Sequence, residues 1–500
     1  MSDKNTSYNE ILKSTALVGG SQVVVTLISI IRIKFVAILL GPSGIGLMGM
    51  YQSATSMIAT LTGLGVGTSG VRQIAAASAK DDNTRITRSI VALRRTSLIL
   101  AVIGMLFTII LSEPLSQITF GNSSHATAFA FLSVTLFFGA ITSGQMALLQ
   151  GKRQIANIAA ISIFGAILGT VFSIPIIYTW NEAGIVPLII CISLFSILPS
   201  WWYARKISLQ PLEMSWQDVW QESQLLLSLG FVFMVSSFVA SVVTFLTRII
   251  VIQEIGIDSV GLYIASVTLS SIYTGMIIKA MSMDFYPRLT GIVEDNHACN
   301  RMINEQTEVG ILMALPGILA TLTFAPEVLH LFYSAEFAAA SDLVRWMIFG
   351  VFVKVMSFPL GYYVVARGLG RTFFWLEIGY SSIHIIMIWF GVLYFGLIGV
   401  GIAYSSMYFL SLIINYLVVR RISGFRWMTA NTRIVSIAIV CLGVILMTIN
   451  FLPSGTALIL NTFLTITVSY YCLKKLNDLI RPEWFTNFIT KLKGRFRIRG

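Results

Sequence analysis

The chain has 500 residues, of which 56% are hydrophobic and only 11% charged, and its formal net charge is +12. Soluble proteins carry about 25% charged residues, so this composition and a mean hydropathy of +0.82 exclude the water-soluble enzyme classes. The apolar residues fall in stretches of about 20 or more between short polar breaks. That pattern reads as an all-α polytopic membrane protein and not as the roughly ten-residue alternating strands of an outer-membrane barrel.

In chain order, the polar and acidic start MSDKNTSYNE runs into an apolar helix without a small-residue cleavage site, so a removed signal peptide is not expected. Spans are expected near 11–40, 44–71, 93–112, 126–149, 155–180, 184–204, 225–253, 259–284, 309–333, 343–366, 372–396, 398–419, 434–452 and 456–473. About fourteen helices place both termini on one side of the bilayer. Cys191, Cys299, Cys441 and Cys472 form no CxxC pair. Neither a disulfide framework nor a metal site is expected, and no cofactor motif is present.

The Lys and Arg residues give the orientation. Two lie in the N-terminus, eighteen in the even-numbered loops and eight after residue 473, which is 28 of the 34. The odd-numbered loops hold Arg345 alone and carry Glu113, Glu182, Glu254, Asp258, Glu327, Glu336 and Asp342 instead. By the positive-inside rule both termini and the even loops are cytoplasmic. The net charge is therefore a topology signal, and no nucleic-acid partner is expected.

Five cations remain inside spans: Arg32, Lys34, Arg248, Lys279 and Lys354. At 1.5 Å per residue, Arg32 lies roughly 13 Å from the Gly41 end of its helix and Arg248 roughly 12 Å from Gly256. A charge at a helix centre costs about 2.5–3.5 kcal/mol, so such side chains should face a wet cavity or an anionic partner. The alternative for each is a structural charge paired with a carbonyl or headgroup. Lys279, near its span end, is best read as snorkelling. Arg32 and Lys34 are about 200° apart around a helix and cannot both face one cavity. No carboxylate sits at mid-span, so the embedded region is cationic. It suits a phosphate or diphosphate and disfavours a cationic drug or metal ion.

An internal repeat points to a transporter. Arg32-Ile33, Gly41 and Gly46-Leu47 match Arg248-Ile249, Gly256 and Gly261-Leu262; Gly151 matches Gly368, and Gly184 matches Gly399. The period is near 215 residues. It suggests two pseudo-symmetric six-helix lobes, 1–206 and 222–421, around a central cavity. A linker at 207–221, two extra C-terminal helices at 433–473 and a basic tail at 474–500 complete the expected organisation. The tail interleaves Trp484, Phe485 and Phe488 with basic residues, as an interfacial segment or an unstructured basic tail would.

The segments Leu40-Gly41-Pro42-Ser43-Gly44-Ile45-Gly46, Phe120-Gly121-Asn122, LLQGKR at the end of span 4, Tyr286-Pro287-Arg288-Leu289, and Phe337 with Trp346, Lys354 and Gly361-Tyr362 resemble the Wzx-type O-antigen and lipid-linked oligosaccharide flippases. That family belongs to the superfamily with the multidrug and toxin extrusion transporters and the peptidoglycan lipid II flippase. The resemblance covers residues 1–421. It implies alternating access and a substrate of sugars on undecaprenyl diphosphate, moved to the periplasmic leaflet of the bacterial inner membrane. Lys34, Arg248 and Lys354 fall where similar flippases carry basic residues; Arg32 is less clearly matched. The expected diphosphate ligands are therefore Arg248, Lys354 and one of Arg32 or Lys34, with Gln22, Ser29 and Gln52 as sugar contacts. The expected partners are the lipid-linked oligosaccharide, membrane lipids and other polysaccharide-assembly proteins.

No covalent chemistry, and hence no enzyme activity, is expected. A GxxxxGK[ST] phosphate loop is absent, which argues against direct ATP use. His384 is a candidate proton relay, with a helix-packing donor as the alternative reading. A multidrug exporter would call for embedded carboxylates, and a polysaccharide polymerase for a sizeable outer loop or a catalytic carboxylate cluster.

Overall fold

The computed structural model describes the backbone of residues 2–80, 82–207 and 212–479, with side chains from residue 19 onward except 272–273, 276–277 and 279–284. The described residues form fifteen α-helices, two short 3-10 segments and no strand. The first part holds α1 (Ser2–Gly63), α2 (Val66–Ser78), α3 (Asn83–Ile110), α4 (Ser112–Phe120), α5 (Ala126–Gly151), α6 (Ile155–Trp180), α7 (Ile185–Ala204) and α8 (Trp216–Glu254). Next come α9 (Ile257–Gly291), α10 (Asn296–Thr323), α11 (Ala325–Phe332), α12 (Ser341–Ala366), α13 (Gly370–Ser423), α14 (Thr429–Phe451) and α15 (Ser454–Leu479). Ten segments of the described residues are long and apolar enough to cross a membrane. The protein is a multi-pass membrane protein.

Fifteen helices differ from fourteen expected spans for two reasons. The first and second spans, and the eleventh and twelfth, run on as single elements α1 and α13 through breaks at Gly41 (φ 64, ψ −163) and Gly396 (φ 58, ψ −141). The short helices α2, α4 and α11 then stand as separate elements at span ends. Polar caps set several starts. Asp82 accepts from the Arg85 amide before α3, Asp295 from the His297 and Ala298 amides before α10, and Ser215 forms a reciprocal capping box with Asp218 before α8.

The repeat is visible element by element. α3 and α10 are each 28 residues, α5 and α12 each 26. Gly41 and Gly256, 215 apart, both have positive φ (64° and 115°), a conformation that glycine adopts at no steric cost. Their followers Gly46 and Gly261 make a close backbone contact. A Cβ on Gly46 would strike the Ile257 carbonyl and approach the Gly261 nitrogen, and one on Gly261 would strike the Pro42 carbonyl. Gly184 abuts the Ile176 carbonyl and Gly399 abuts the Gly391 carbonyl, again a matched pair of contacts 215 apart.

Two of the expected equivalences shift. The C-terminal turn of α5 is closed by bonds from Lys152, Arg153 and Gln154 to the Leu148, Gln150 and Leu149 carbonyls. The turn after α12 is closed by Arg367, Gly368 and Leu369 on Tyr363, Val365 and Val364. Gly368 (φ 75°) therefore corresponds to Arg153 (φ 55°) and not to Gly151. Gly151 is small for another reason: a Cβ there would strike Ile74. Arg32 and Arg248 are also one residue out of the glycine register, about 100° around a helix, so they are not equivalent side chains.

The chain divides into two compact units. The first comprises the described residues of Met1–Ile264 and Leu331–Glu336, the second those of Ala265–His330 and from Phe337 onward. In the first unit α8 packs on α1, α2 and α3, with Thr96 and Ser223 hydroxyls 2.6 Å apart and the Gly65 and Gly230 backbones in contact. Packing therefore keeps the seventh span with the preceding six, while the sequence repeat makes it the start of the second copy. Small residues let helices approach where lipid provides no hydrophobic drive for association. In the second unit α14 and α15 pack on α10. Asn431 donates to the Asn304 carbonyl and side chain, and Lys475 pairs with Glu308 at 2.7 Å. The outward faces of α14 and α15 carry Met447, Phe451, Ile459 and Phe463, all exposed as lipid-facing residues are.

Candidate functional site

Within the first unit, α1 and α8 each carry a polar stripe at helical spacing. On α8 it is Ser237, Ser241, Thr244 and Arg248; on α1 it is Gln52, Ser56 and Thr60. Most of these hydroxyls bond back to their own helix, as Ser241 does to the Ser237 carbonyl and Thr244 to the Ala240 carbonyl. Helical structure thus survives without lateral partners, and the oxygens keep capacity for a further bond. Thr60 Oγ1 and Ser241 Oγ stand 3.3 Å apart where the stripes meet.

Arg248 closes one end. Its guanidinium donates to the Gly49 carbonyl of α1, and its Nε is buried without an acceptor among the described residues. Gly49 is small because a Cβ there would strike Ile264. The adjoining cavity of about 320 Å³ is lined by Gln52, Ser53, Ser56, Ser241, Thr244 and Arg248. Gln52 and Ser56 also line a second cavity of about 500 Å³, walled by Thr55, Thr60, Ser97 and Ser143 among others. Thr60, Gly63 and Ser143 are shared in turn with a third, about 610 Å³, which ends at Arg72 on α2. A track of overlapping cavities, its walls part hydroxyl-bearing and part apolar, therefore links Arg248 and Arg72. No carboxylate lines any of its three cavities. Such a track offers neutral hydrogen bonds along its length and positive charge at its ends.

Arg32 and Lys34 diverge, as their spacing requires. Arg32 lies against Gly169 of α6, its Nη1 3.6 Å from where a Cβ would stand. Lys34 donates from Nζ to the Leu331 carbonyl at 2.6 Å, capping the last turn of α11, where helix carbonyls lack partners. Neither lines the cavity at Arg248. Gln52 does, whereas Gln22 is exposed, and neither Gln22 nor Ser29 lines the three cavities. Lys279 falls on α9, and its side chain lies outside the described residues.

Lys354 and His384 belong to the second unit. The Lys354 ammonium sits 5.1 Å from the Tyr408 ring centroid, a cation–π contact, and has no carboxylate partner among the described residues. Tyr408 packs edge-on against Tyr404 at 4.8 Å, and Tyr404 lies 6.3 Å from the His384 ring. His384 Nε2 is buried without a partner among the described residues. In the repeat register, Lys354 takes the place of Gly139, which lines the 500 Å³ cavity, and His384 the place of Gly169. The second copy thus carries long cationic or titratable side chains where the first carries glycine. Sequence reading found these charges but missed Arg72 and the stripe hydroxyls. The 4-3-4 spacing of Ser237, Ser241, Thr244 and Arg248 is the signal that could have found the latter. Among the described residues no group of three His, Cys, Asp or Glu side chains is placed to hold a metal ion.

A family model described as polysaccharide biosynthesis protein matches residues 35–342, more than half of the chain. The chain belongs to this family. A lipid III flippase from Escherichia coli (strain K12) is 22% identical over 387 residues, covering 75% of this chain and 90% of that protein. A Shigella flexneri protein provisionally named an O-antigen transporter is 23% identical over 411 residues, covering 80% of this chain and 96% of its own. Among solved structures, the lipid II flippase MurJ in an inward closed conformation superposes with a TM-score of 0.66 at 13% identity, covering 93% of this chain and all of that one. An inward-facing multidrug resistance MATE family transporter of the MOP superfamily gives 0.66 at 18% identity, covering 80% and 94%. This member of the polysaccharide biosynthesis protein family therefore has the fold shared by those two transporters.

Proposed function

We propose that the protein is a flippase that moves a lipid-linked oligosaccharide across the bacterial inner membrane, from the cytoplasmic to the periplasmic leaflet, by alternating access. The observation that carries this reading is Arg248, held inside apolar helices at the end of a partly hydroxyl-lined track without carboxylates. A sugar head presents many hydroxyls and a diphosphate presents concentrated negative charge. Neither crosses about 30 Å of hydrocarbon unescorted, and the track supplies partners for both. The flippase and transporter names of the relatives agree with this reading. The polyprenyl tail stays in lipid.

In this reading Arg248 and Lys354 are the diphosphate-binding cations, and Arg32 is the third member. Lys34 is a structural cap because its ammonium is engaged by the Leu331 carbonyl. Gln52, Ser56 and the α8 hydroxyls contact sugar. The repeats 1–206 and 222–421 make up the transport core, residues 207–221 link them, and 433–473 form an accessory pair followed by the basic tail at 474–500. Both termini are cytoplasmic. His384 relays protons if transport is gradient-driven, and flux assays with imposed proton and sodium gradients test that. No step makes or breaks a covalent bond, so the protein is a transporter and not an enzyme.

Deletion followed by mass spectrometry of the accumulated lipid-linked glycan tests the reading. Complete repeat units retained on the cytoplasmic face support a flippase. Units delivered to the periplasm but left unpolymerised support a polymerase instead. Efflux of a cationic dye that depends on the protein would support a multidrug exporter.

A further inference from the structure

The first unit carries another recess, formed by α3, α5 and α7, which shares only Ser97 with the three cavities of the track. Its volume is about 430 Å³, within the roughly 300–1,000 Å³ range of small-molecule sites. Its lining includes the small residues Ser97, Gly144 and Ala204, and a Cβ on Gly144 would strike the Ser97 hydroxyl. Arg94, Trp201 and Arg205 also line it.

The charge of the lining is unbalanced. Arg94 donates from Nη2 to the Ala204 carbonyl at 3.4 Å, which occupies one of its five N–H groups. The Arg205 guanidinium carbon stands over two indole rings, 4.0 Å from the Trp202 centroid and 4.6 Å from that of Trp201. A guanidinium stacked this way keeps its N–H edge free for bidentate bonding to phosphate oxygens. Neither arginine pairs with a carboxylate among the described residues. Lys206 follows, over Trp202 and Tyr203, and Arg95 lies over Trp216 close by in sequence. Trp201 and Trp202 are 52% and 48% exposed, as amphipathic rings at the headgroup level of a bilayer are.

We propose that this recess is a binding site for the phosphate of a membrane lipid, with Arg94 and Arg205 as its anion ligands and Trp201 as the wall against the glycerol or first acyl segment. Tryptophans place the arginines at headgroup depth, where lipid phosphate is the most concentrated anion. Arg94, Trp201 and Arg205 carry the inference, and none of them lines any of the three cavities of the transport track.

The test is native mass spectrometry of the full-length protein with short-chain phosphatidylglycerol and, separately, phosphatidylcholine. The expected result is preferential retention of phosphatidylglycerol. Replacing Arg205→Gln should weaken it about tenfold, the scale of one lost charge-assisted hydrogen bond. Arg301→Gln removes an exposed charge from the second unit and should leave retention unchanged. Brominated phosphatidylglycerol should quench wild-type fluorescence more than that of Trp201→Phe, which locates the lipid even if an arginine variant folds poorly. Farnesyl diphosphate that displaces the phospholipid would assign the site to a polyprenyl carrier, and failure to displace would assign it to the bilayer lipid; both agree with the proposal. Equal retention of the two phospholipids, equal losses in Arg205→Gln and Arg301→Gln, or displacement by the same concentration of inorganic phosphate would overturn it.

Discussion

At the scale of single residues, an embedded cation is defined by what it touches. Lys34 and Arg248 stand out equally in the sequence, yet one ammonium caps α11 through Leu331 and one guanidinium lines a hydroxyl-bearing cavity. Replacing Lys34→Gln should therefore cost about 1 kcal/mol of stability, the worth of one hydrogen bond, and leave flux per folded molecule unchanged. Thermal melting in detergent beside an export assay checks this; a lost flux at unchanged stability would return Lys34 to the substrate site. The charges were legible because each interrupts an apolar run. Thr60, Ser241 and Thr244 were not, because a hydroxyl that bonds back to its own helix is ordinary in any span, and only the facing stripe makes it a lining. The destination of Lys34 was unreadable too, since its acceptor is a backbone carbonyl 297 residues away.

At the scale of elements, close backbone approaches and helix caps fix the repeat. Gly46 and Gly261 each face a carbonyl that leaves no room for a methyl group. Gly46→Ala or Gly261→Ala should destabilise by about 1–3 kcal/mol through forced backbone shifts, whereas Gly379→Ala, with open space, should not. A melting series decides between them. Asp218, at the start of α8, has its carboxyl held below the ordinary value by hydrogen bonds from Ser215 and by Arg88. Its contribution is present above the unfolded-state pKa and is lost as pH falls through the lowered native value, so the stability gap between wild type and Asp218→Asn should be full at neutral pH and close on acidification. The glycine pairs at 41/256, 46/261 and 184/399 were legible as a period of 215. The Arg153–Gly368 pair was not, because the first copy uses an arginine where a left-handed residue is needed, and a nearby glycine at 151 serves packing on Ile74 instead.

At the scale of the whole molecule, composition alone gave the class, since a chain this poor in charge has no aqueous fold to adopt. What composition could not give is which unit holds the seventh span, because packing and repeat divide the chain at different places. The distribution of 34 basic residues makes orientation testable: a phosphatase fused after residue 479 should be inactive in the periplasm-dependent assay, and a fluorescent fusion at the same point should glow. In the proposed mechanism the arginine and lysine at membrane depth serve an anionic cargo, so removing one should lower transport and not merely weaken folding. The most direct measurement is the flux of lipid-linked oligosaccharide in cells lacking the wild-type protein and supplied with Arg248→Gln or Lys354→Gln, each checked for insertion and melting temperature. The account predicts loss of export by at least about a hundredfold in either variant, the scale of two charge-assisted hydrogen bonds, with the protein inserted and folded. Wild-type flux in both variants would contradict it.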